Sequence, residues 1–150
     1  MQTNNQRRQF LKQISSLAMG GVVLNALSGC STGLHSYLVA SSGGAISLNL
    51  NEYPELGQIG GAIEIEFNGE PGELVIVRIS ESSVVALSST CTHLGCTVRK
   101  EPSFFRCPCH GSTYDLEGNV VRGPAEQSLE RYPARMSNEQ IIISLRNEQR

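Results

Sequence analysis

Four cysteines and two histidines lie in one short stretch of the chain, which constrains the fold more than any other feature. The first half reads CTHLGC, from Cys91 to Cys96, and the second reads CPCHGSTY, from Cys107 to Tyr114. Each half supplies one cysteine–histidine pair and retains a further cysteine. Thiolates and imidazoles are common metal ligands, so the pattern predicts two loops that hold a metal centre between them.

Three kinds of site are compatible with these residues. A 2Fe–2S centre in which two histidines replace two cysteines on one iron uses two thiolates and two imidazoles. A zinc site takes the same ligand types, although structural zinc sites usually draw on a Cys-Cys knuckle with the two histidines close together. A purely disulfide-bonded arrangement of the four cysteines leaves both histidines unexplained. The pattern therefore favours the iron–sulfur centre.

The stretch closely resembles the Rieske iron–sulfur proteins over about residues 62–145. The similarity is most specific in CTHLGC and CPCHGS, and it continues into Gly-Pro-Ala at residues 123–125, which is similar to the proline loop of that family. The resemblance implies a 2Fe–2S cluster with these ligands: Cys91, His93, Cys107 and His110. It also implies a disulfide between Cys96 and Cys109. Rieske-type ferredoxins and ring-hydroxylating oxygenases generally lack the two additional cysteines, so the chain looks like the cytochrome bc branch.

The same resemblance suggests roles for residues around the ligands. Ser112 and Tyr114 match positions whose hydroxyls donate hydrogen bonds to cluster sulfur atoms in high-potential members. Leu94 matches an exposed position that packs against a partner protein, with core packing as the alternative. Gly123 and Pro124 match the loop that covers the cluster. For either hydroxyl, the alternative is that it only caps a turn.

Residues 1–29 have the character of a processing signal rather than of a folded domain. Arg7 and Arg8 lie in QRRQFLK, which looks like a twin-arginine export motif, and the basic region of an ordinary signal is the alternative. The apolar run over residues 14–27 is shorter than the roughly twenty residues of a membrane-spanning helix. It leads into LSGC, which resembles a bacterial lipobox with Cys30 as the lipidated residue. The alternative is a chance cysteine at a small-residue cleavage site.

The rest of the chain has the pattern of an all-β domain. Residues 30–44 are rich in serine and glycine, which predicts the lipidated cysteine and a flexible tether, with a short strand at residues 37–39 as the alternative. The Rieske domain is expected over residues 45–150. Alternating or continuous apolar runs predict strands at residues 45–51, 62–67, 74–79, 84–87, 120–121, 129–132 and 141–145. Such short strands predict a small antiparallel barrel or sandwich with a cluster-binding subdomain of two β-loops.

Charge and resemblance together define the functional hypotheses. Residues 30–150 carry nine basic and fourteen acidic side chains, which argues against nucleic acid as a partner.

The first hypothesis is one-electron transfer in a quinol-oxidising complex, with a cytochrome b-type partner and a c-type haem acceptor. The alternatives are the small subunit of a molybdenum oxidoreductase of the arsenite-oxidase kind, beside a molybdopterin subunit, and a free-standing lipid-anchored carrier. A structural zinc module is a further alternative. The expected location is the extracytoplasmic side of a membrane, reached by export and held by the lipid anchor.

Overall fold

A computed structural model describes residues 32–145 of the chain, which form short β-strands joined by turns. In chain order the strands are β1 (Ser36–Leu38), β2 (Ser41–Ser42), β3 (Ala45–Asn49), β4 (Ala62–Glu66), β5 (Glu73–Ser80), β6 (Ser83–Leu87), β7 (Arg99–Lys100), β8 (Phe105–Arg106), β9 (Thr113–Tyr114), β10 (Val120–Arg122), β11 (Arg131–Tyr132), β12 (Ala134–Ser137) and β13 (Gln140–Ser144). Two 3₁₀ helices, Leu50–Glu52 and Pro54–Gly57, join β3 to β4. Over the described residues, helices are too short to cross a membrane. The all-β prediction is confirmed.

Two sheets form the base of the domain around one hydrophobic core. The first has the strand order β1-β4-β5-β6-β11 and the second the order β12-β13-β3-β2. Alternation places Ile46 and Leu48 of β3 on the inner face of the second sheet, where they meet Ile63 and Ile65 of β4. Complete burial of one such aliphatic side chain contributes about 1.5–3 kcal/mol, so this core is the main source of stability in the base.

Strand β5 separates this core from a second one. Its sequence is apolar on both faces, so Leu74 and Ile76 face the base, while Val75 and Val77 face a smaller core. The smaller core lies beneath a four-stranded sheet of order β10-β9-β8-β7. The loops that carry the cysteines and histidines begin or end on this sheet, so buried side chains fix their ends.

The prediction of a flexible tether is wrong for residues 32–44. Strand β1 pairs in parallel with β4, and β2 pairs with β3. Thr32 is completely buried and donates a hydrogen bond to Glu64 over 2.9 Å, and Tyr37 packs against the base core. The free edge of β4 supplies backbone partners to a serine-rich segment, which composition alone does not reveal. The folded domain therefore includes residues 32–44, whereas Arg7, Arg8 and Cys30 lie outside the described residues.

Candidate metal centre

The first of two short loops runs from Cys91 to Cys96 and closes on itself through its backbone. The N–H of Cys91 donates to the carbonyl of Cys96 over 2.8 Å. The N–H of Gly95 donates to the carbonyl of Cys91 over 2.9 Å. These two bonds form a tight turn, so the side chains at its centre project away from the sheet.

The second loop, from Cys107 to Ser112, repeats the same scheme. Cys107 N–H donates to the Ser112 carbonyl over 2.8 Å, and Gly111 N–H donates to the Cys107 carbonyl over 3.0 Å. The fifth residue of each loop is a glycine with positive φ, +76° at Gly95 and +79° at Gly111. Glycine adopts this conformation without the steric cost that a side chain adds. The two loops therefore share one backbone form, with their first cysteines in equivalent places.

Those first cysteines are buried thiols. Cys91 is 2% exposed and Cys107 is 1% exposed, and neither forms a disulfide. Burial raises the pKa of Cys107, and the neighbouring Cys91 thiol raises it further. Burial also acts to raise the pKa of Cys91, but hydrogen bonds from the Tyr114 hydroxyl and the backbone at His93 lower it on balance. Two close thiols of this kind are suited to ligate a metal as thiolates.

The two imidazoles lie together at the tips of the loops, away from the sheet. The ring centroids of His93 and His110 are 4.9 Å apart, with an angle of 82° between the planes. His93 Nδ1 is buried and has no hydrogen-bond partner among residues 32–145. A buried polar atom without a partner is costly in a folded protein, and coordination to a metal removes that cost. The orphaned nitrogen therefore fits a cluster ligand.

A disulfide joins the two loops. Cys96 and Cys109 are bonded, with their Cα atoms 6.6 Å apart, which confirms the predicted pairing. The sulfur atoms of Cys96, Cys107 and Cys109 also lie within 4.8 Å of one another. Those three do not form the metal site, because disulfide sulfurs cannot supply thiolates. The free thiols of Cys91 and Cys107 and the imidazoles of His93 and His110 are the candidate ligand set.

Tyr114 places a hydroxyl group against this set from beneath. Its side chain is completely buried, and its Oη lies 3.3 Å from Cys91 Sγ. Thr92 N–H donates to the same oxygen over 3.3 Å, and Thr92 Oγ1 lies 3.1 Å from it. Burial raises the pKa of Tyr114, and the hydrogen bond with Cys91 adds to the shift. The phenol therefore keeps its proton and can donate it to the sulfur of Cys91.

Comparison with known families identifies this arrangement. The Rieske 2Fe–2S domain family matches residues 52–133, more than half of the chain. This chain belongs to the Rieske iron–sulfur family. Its cofactor is a 2Fe–2S cluster, in agreement with the paired thiols and the orphaned imidazole nitrogen.

The relatives of this Rieske chain are similar over most of its length. Iron-sulfur subunit 1 of the cytochrome b6-f complex from Nostoc sp. is 30% identical over 92% of this chain and 83% of its own length. The cytochrome b6-f complex iron-sulfur subunit of Prochlorococcus marinus is 34% identical over 82% of this chain and 75% of its own. A chain of a hyperthermophilic respiratory Complex III superposes with a TM-score of 0.50 at 22% identity, covering 91% of this chain and 90% of its own. That last likeness shows a common fold.

The loop that contains Gly123 and Pro124 is tied to the second cysteine-bearing loop. Ala125, the next residue, is buried, and its N–H donates to Ser112 Oγ over 2.9 Å. Residues 124–127, together with Thr92 and His93, line a cavity of about 340 Å³ beside the ligand set. The loop is thus held beside the candidate ligands, and its covering role stays a prediction.

A second tie to this loop was not predicted from the sequence. Thr92 Oγ1 donates to the Gln127 carbonyl over 2.6 Å, across 35 positions of the chain. The only sequence feature that marked Thr92 was its position between the candidate ligands Cys91 and His93. A threonine hydroxyl gives no indication in the sequence of a hydrogen-bond partner far along the chain. Leu94 has 68% of its surface exposed, so it does not pack in the core, and its docking role stays a prediction.

Proposed function

We propose that this Rieske protein is the iron–sulfur subunit of a membrane complex that oxidises quinol. In this role it takes one electron at a time from quinol beside a cytochrome b-type partner and passes it to a c-type haem. The observation that carries the proposal is the similarity, over 92% of the chain, to an iron-sulfur subunit of a cytochrome b6-f complex. The disulfide between the two loops supports it as well.

The proposed ligands divide between the two irons by type. Cys91 and Cys107 would hold one iron, and His93 and His110 would hold the other. A 2Fe–2S cluster bound in this way accepts and releases one electron at a potential of roughly −150 to +300 mV. His110 is exposed and His93 is partly exposed, so their outer ring nitrogens are accessible to a quinol hydroxyl. These imidazoles can accept a hydrogen bond and a proton from that hydroxyl.

Two hydroxyl groups favour the upper part of this range. Tyr114 can donate to Cys91 Sγ, and the buried Ser112 keeps its own hydroxyl proton while it accepts from Ala125 N–H. Hydrogen bonds to the sulfur atoms stabilise the more negative, reduced state and so raise the potential. We assign both residues to tuning the potential.

The N-terminal segment and one exposed side chain would place the protein in its complex. Arg7 and Arg8 would direct export of the folded protein, and a lipid on Cys30 would hold it at the extracytoplasmic face of the membrane. Leu94 would pack against a partner, because it is a large apolar side chain exposed at the end of a ligand-bearing loop. Gly123 and Pro124 would restrict access of water to the cluster.

A redox titration of the purified, cluster-loaded chain, followed by low-temperature EPR at several pH values, tests the proposal. We expect a Rieske-type rhombic signal, a clearly positive potential and a fall of that potential as pH rises, because the imidazoles release protons on oxidation. A Rieske signal with a low potential that does not change with pH would instead indicate a ferredoxin-like carrier. A colourless protein that contains zinc would contradict the iron–sulfur assignment.

A further inference from the structure

The four-stranded sheet beneath the ligand loops aligns three arginines in one cross-strand row. Arg99 is paired with Arg106, Arg106 with Thr113, and Thr113 with Arg122. Directly paired residues share a face, and neighbouring strands lie about 4.8 Å apart, so the row is about 14 Å long. The adjacent row contains the completely buried Phe105, so it faces the core. The arginine row therefore faces solvent, and all three arginines are exposed.

Among residues 32–145, no carboxylate forms an ion pair with any of the three arginines of the row. The ion pairs within 4.0 Å in this part of the chain involve other cations, namely His35, Arg78 and Arg131. Like charges placed directly opposite each other across a sheet are unfavourable, so the pairing of Arg99 with Arg106 does not help the fold. Three exposed arginines aligned on one face of a sheet, with no carboxylate of residues 32–145 in an ion pair with them, fit an anionic ligand.

The N-terminal end of the folded domain is attached to the same sheet. The carbonyl of Thr32 accepts a hydrogen bond of 2.8 Å from the N–H of Lys100, the residue after Arg99 on the edge strand β7. Thr32 Oγ1 also donates to the buried Glu64 of β4, in the five-stranded sheet, so hydrogen bonds to two sheets fix the position of Thr32. The point at which the N-terminal segment joins the domain is therefore fixed beside one end of the arginine row.

A membrane anchor in the segment before Thr32 would keep this edge close to the membrane. Cys30 is two residues away and the apolar run over residues 14–27 is five residues away. Since an extended residue spans at most about 3.5 Å, an anchor at Cys30 would be held within about 7 Å of Thr32, and an anchor in the apolar run within about 18 Å. Either anchor would hold β7 near the headgroup layer.

We propose that Arg99, Arg106 and Arg122 form a docking surface for anionic lipid headgroups. The inference rests on the proposed function only for the membrane anchor. Guanidinium groups bind phosphate through paired hydrogen bonds, which suits phospholipid headgroups. Val121, the extra residue of the β-bulge beside Arg122, is 66% exposed and adds an apolar side chain at the other edge of the sheet. The nearby anchor favours a lipid surface over an acidic protein as the occupant.

Energy transfer in reconstituted vesicles tests this surface. The cluster-loaded full chain carries a fluorophore on a non-canonical amino acid at Ser103, in the turn between β7 and β8, and the acceptor is a headgroup-labelled lipid. We expect stronger transfer in vesicles of phosphatidylcholine with phosphatidylglycerol than in phosphatidylcholine alone. In the double variant Arg99→Gln/Arg106→Gln, the ratio of docked to undocked protein should fall roughly 25-fold, at about fivefold per arginine. High salt should have a similar effect.

The matched control is Arg131→Gln/Arg135→Gln, which changes net charge equally and should retain the dependence on anionic lipid. Equal transfer in both kinds of vesicle, or equal losses in the two double variants, would overturn the lipid surface while leaving the redox proposal intact. If Arg99→Gln/Arg106→Gln only slows electron transfer to a partner protein, the surface serves an acidic protein and the lipid assignment is wrong. Failure to associate with either vesicle would overturn both the membrane placement and the lipid contact.

Discussion

Ser112 Oγ accepts a 2.9 Å hydrogen bond from the backbone N–H of Ala125, so one buried hydroxyl connects a ligand loop to the covering loop. This bond uses a lone pair of the oxygen and leaves the hydroxyl proton available to a sulfur atom. Together with the stronger effect of Tyr114, the Ser112 hydroxyl acts to lower the pKa of Cys91 against burial. Ser112 therefore has a structural role and an electrostatic role, and substitution should affect both.

Ser112→Ala should lower both the reduction potential and the stability of the fold. Loss of about 1 kcal/mol of preference for the reduced state corresponds to about 40 mV for one electron. The Ala125 N–H would be left buried without a partner, which costs about 1–3 kcal/mol. Redox titration and urea unfolding measure the two effects. Thr113→Val is the control, because Thr113 Oγ1 donates only within its own turn, to the Gly111 carbonyl. A Ser112→Ala potential equal to that of the control would contradict the tuning role.

Tyr114→Phe should lower the potential by tens of millivolts while preserving the packing of the ring. Because burial raises the pKa of Tyr114 above its ordinary value near 10, the donor stays protonated and the loss should be constant between about pH 6 and pH 9. Redox titration over that range measures it. Tyr37→Phe removes a hydroxyl bonded to Glu55, away from the ligand set, and should leave the potential unchanged. A loss that disappears at alkaline pH would show that the phenol ionises there.

Cys96→Ser/Cys109→Ser should accelerate loss of the cluster. The disulfide closes a segment with a sequence separation of 13, for which chain entropy suggests about 3 kcal/mol of stabilisation. The decay of visible absorbance at a fixed temperature measures cluster loss. A reductant should accelerate decay in the unmodified chain and have little effect on the variant. Identical decay rates with and without the disulfide would show that the backbone alone restrains the loops.

Glu64→Gln should stabilise the domain at neutral pH. The pKa of Glu64 is raised, chiefly by burial and further by Glu73 and Glu66, with Thr32 acting in the opposite direction. The folded state therefore binds its proton more tightly than the unfolded state, and stability falls as pH rises from the unfolded pKa through the raised value. An amide oxygen can still accept from Thr32, so the gain in Tm should be present at pH 7 and absent below about pH 4.

Thermal unfolding at both pH values, with Glu66→Gln as the control, checks this expectation. Glu66 accepts from Ser36 at the exposed surface of the same strand, so its substitution should produce little dependence on pH. A Glu64→Gln variant that is less stable than the parent at pH 7 would show that the carboxylate is a net stabilising group.

Leu94→Ala should slow electron exchange with a partner by about tenfold, the effect of losing 1–2 kcal/mol at a docking contact. Its potential and Tm should not change, because a side chain that is 68% exposed contributes little to the fold. Stopped-flow kinetics against quinol and a c-type cytochrome measure the exchange. Leu38→Ala removes a side chain that is 82% exposed on the base and should leave the rate unaffected. Equal rates for the two variants would exclude Leu94 from docking.

The sequence predicted those strands that have a periodic pattern. Apolar residues at alternate positions located β3, and the apolar run at residues 74–79 located β5 to within one residue at each end. Strands β7, β8 and β9 have only two residues each, too few for a period, and backbone pairing beside the loops defines them. The segment 32–44 was interpreted as a tether because its pairing depends on the edge of β4, which local composition does not reveal.

The reactive groups of the centre and the disulfide that joins its two loops were predicted, whereas two tertiary features around it were not. The Cys96–Cys109 disulfide is confirmed, and the four ligands remain predictions that the orphaned nitrogen of His93 supports. The hydrogen bond from Thr92 to Gln127 and the row formed by Arg99 and Arg106 depend on tertiary contact and on strand register. A single sequence does not contain that information.

The two loops share one backbone form but carry different side chains in corresponding places, so the site is not symmetric. In corresponding places, the first loop carries His93 and Leu94, while the second carries Cys109 and His110. Leu94 therefore occupies in the first loop the position that His110 occupies in the second. A partner protein can distinguish the two loops by these side chains although their backbones match, so the orientation of docking and the binding of metal can be altered independently in this protein.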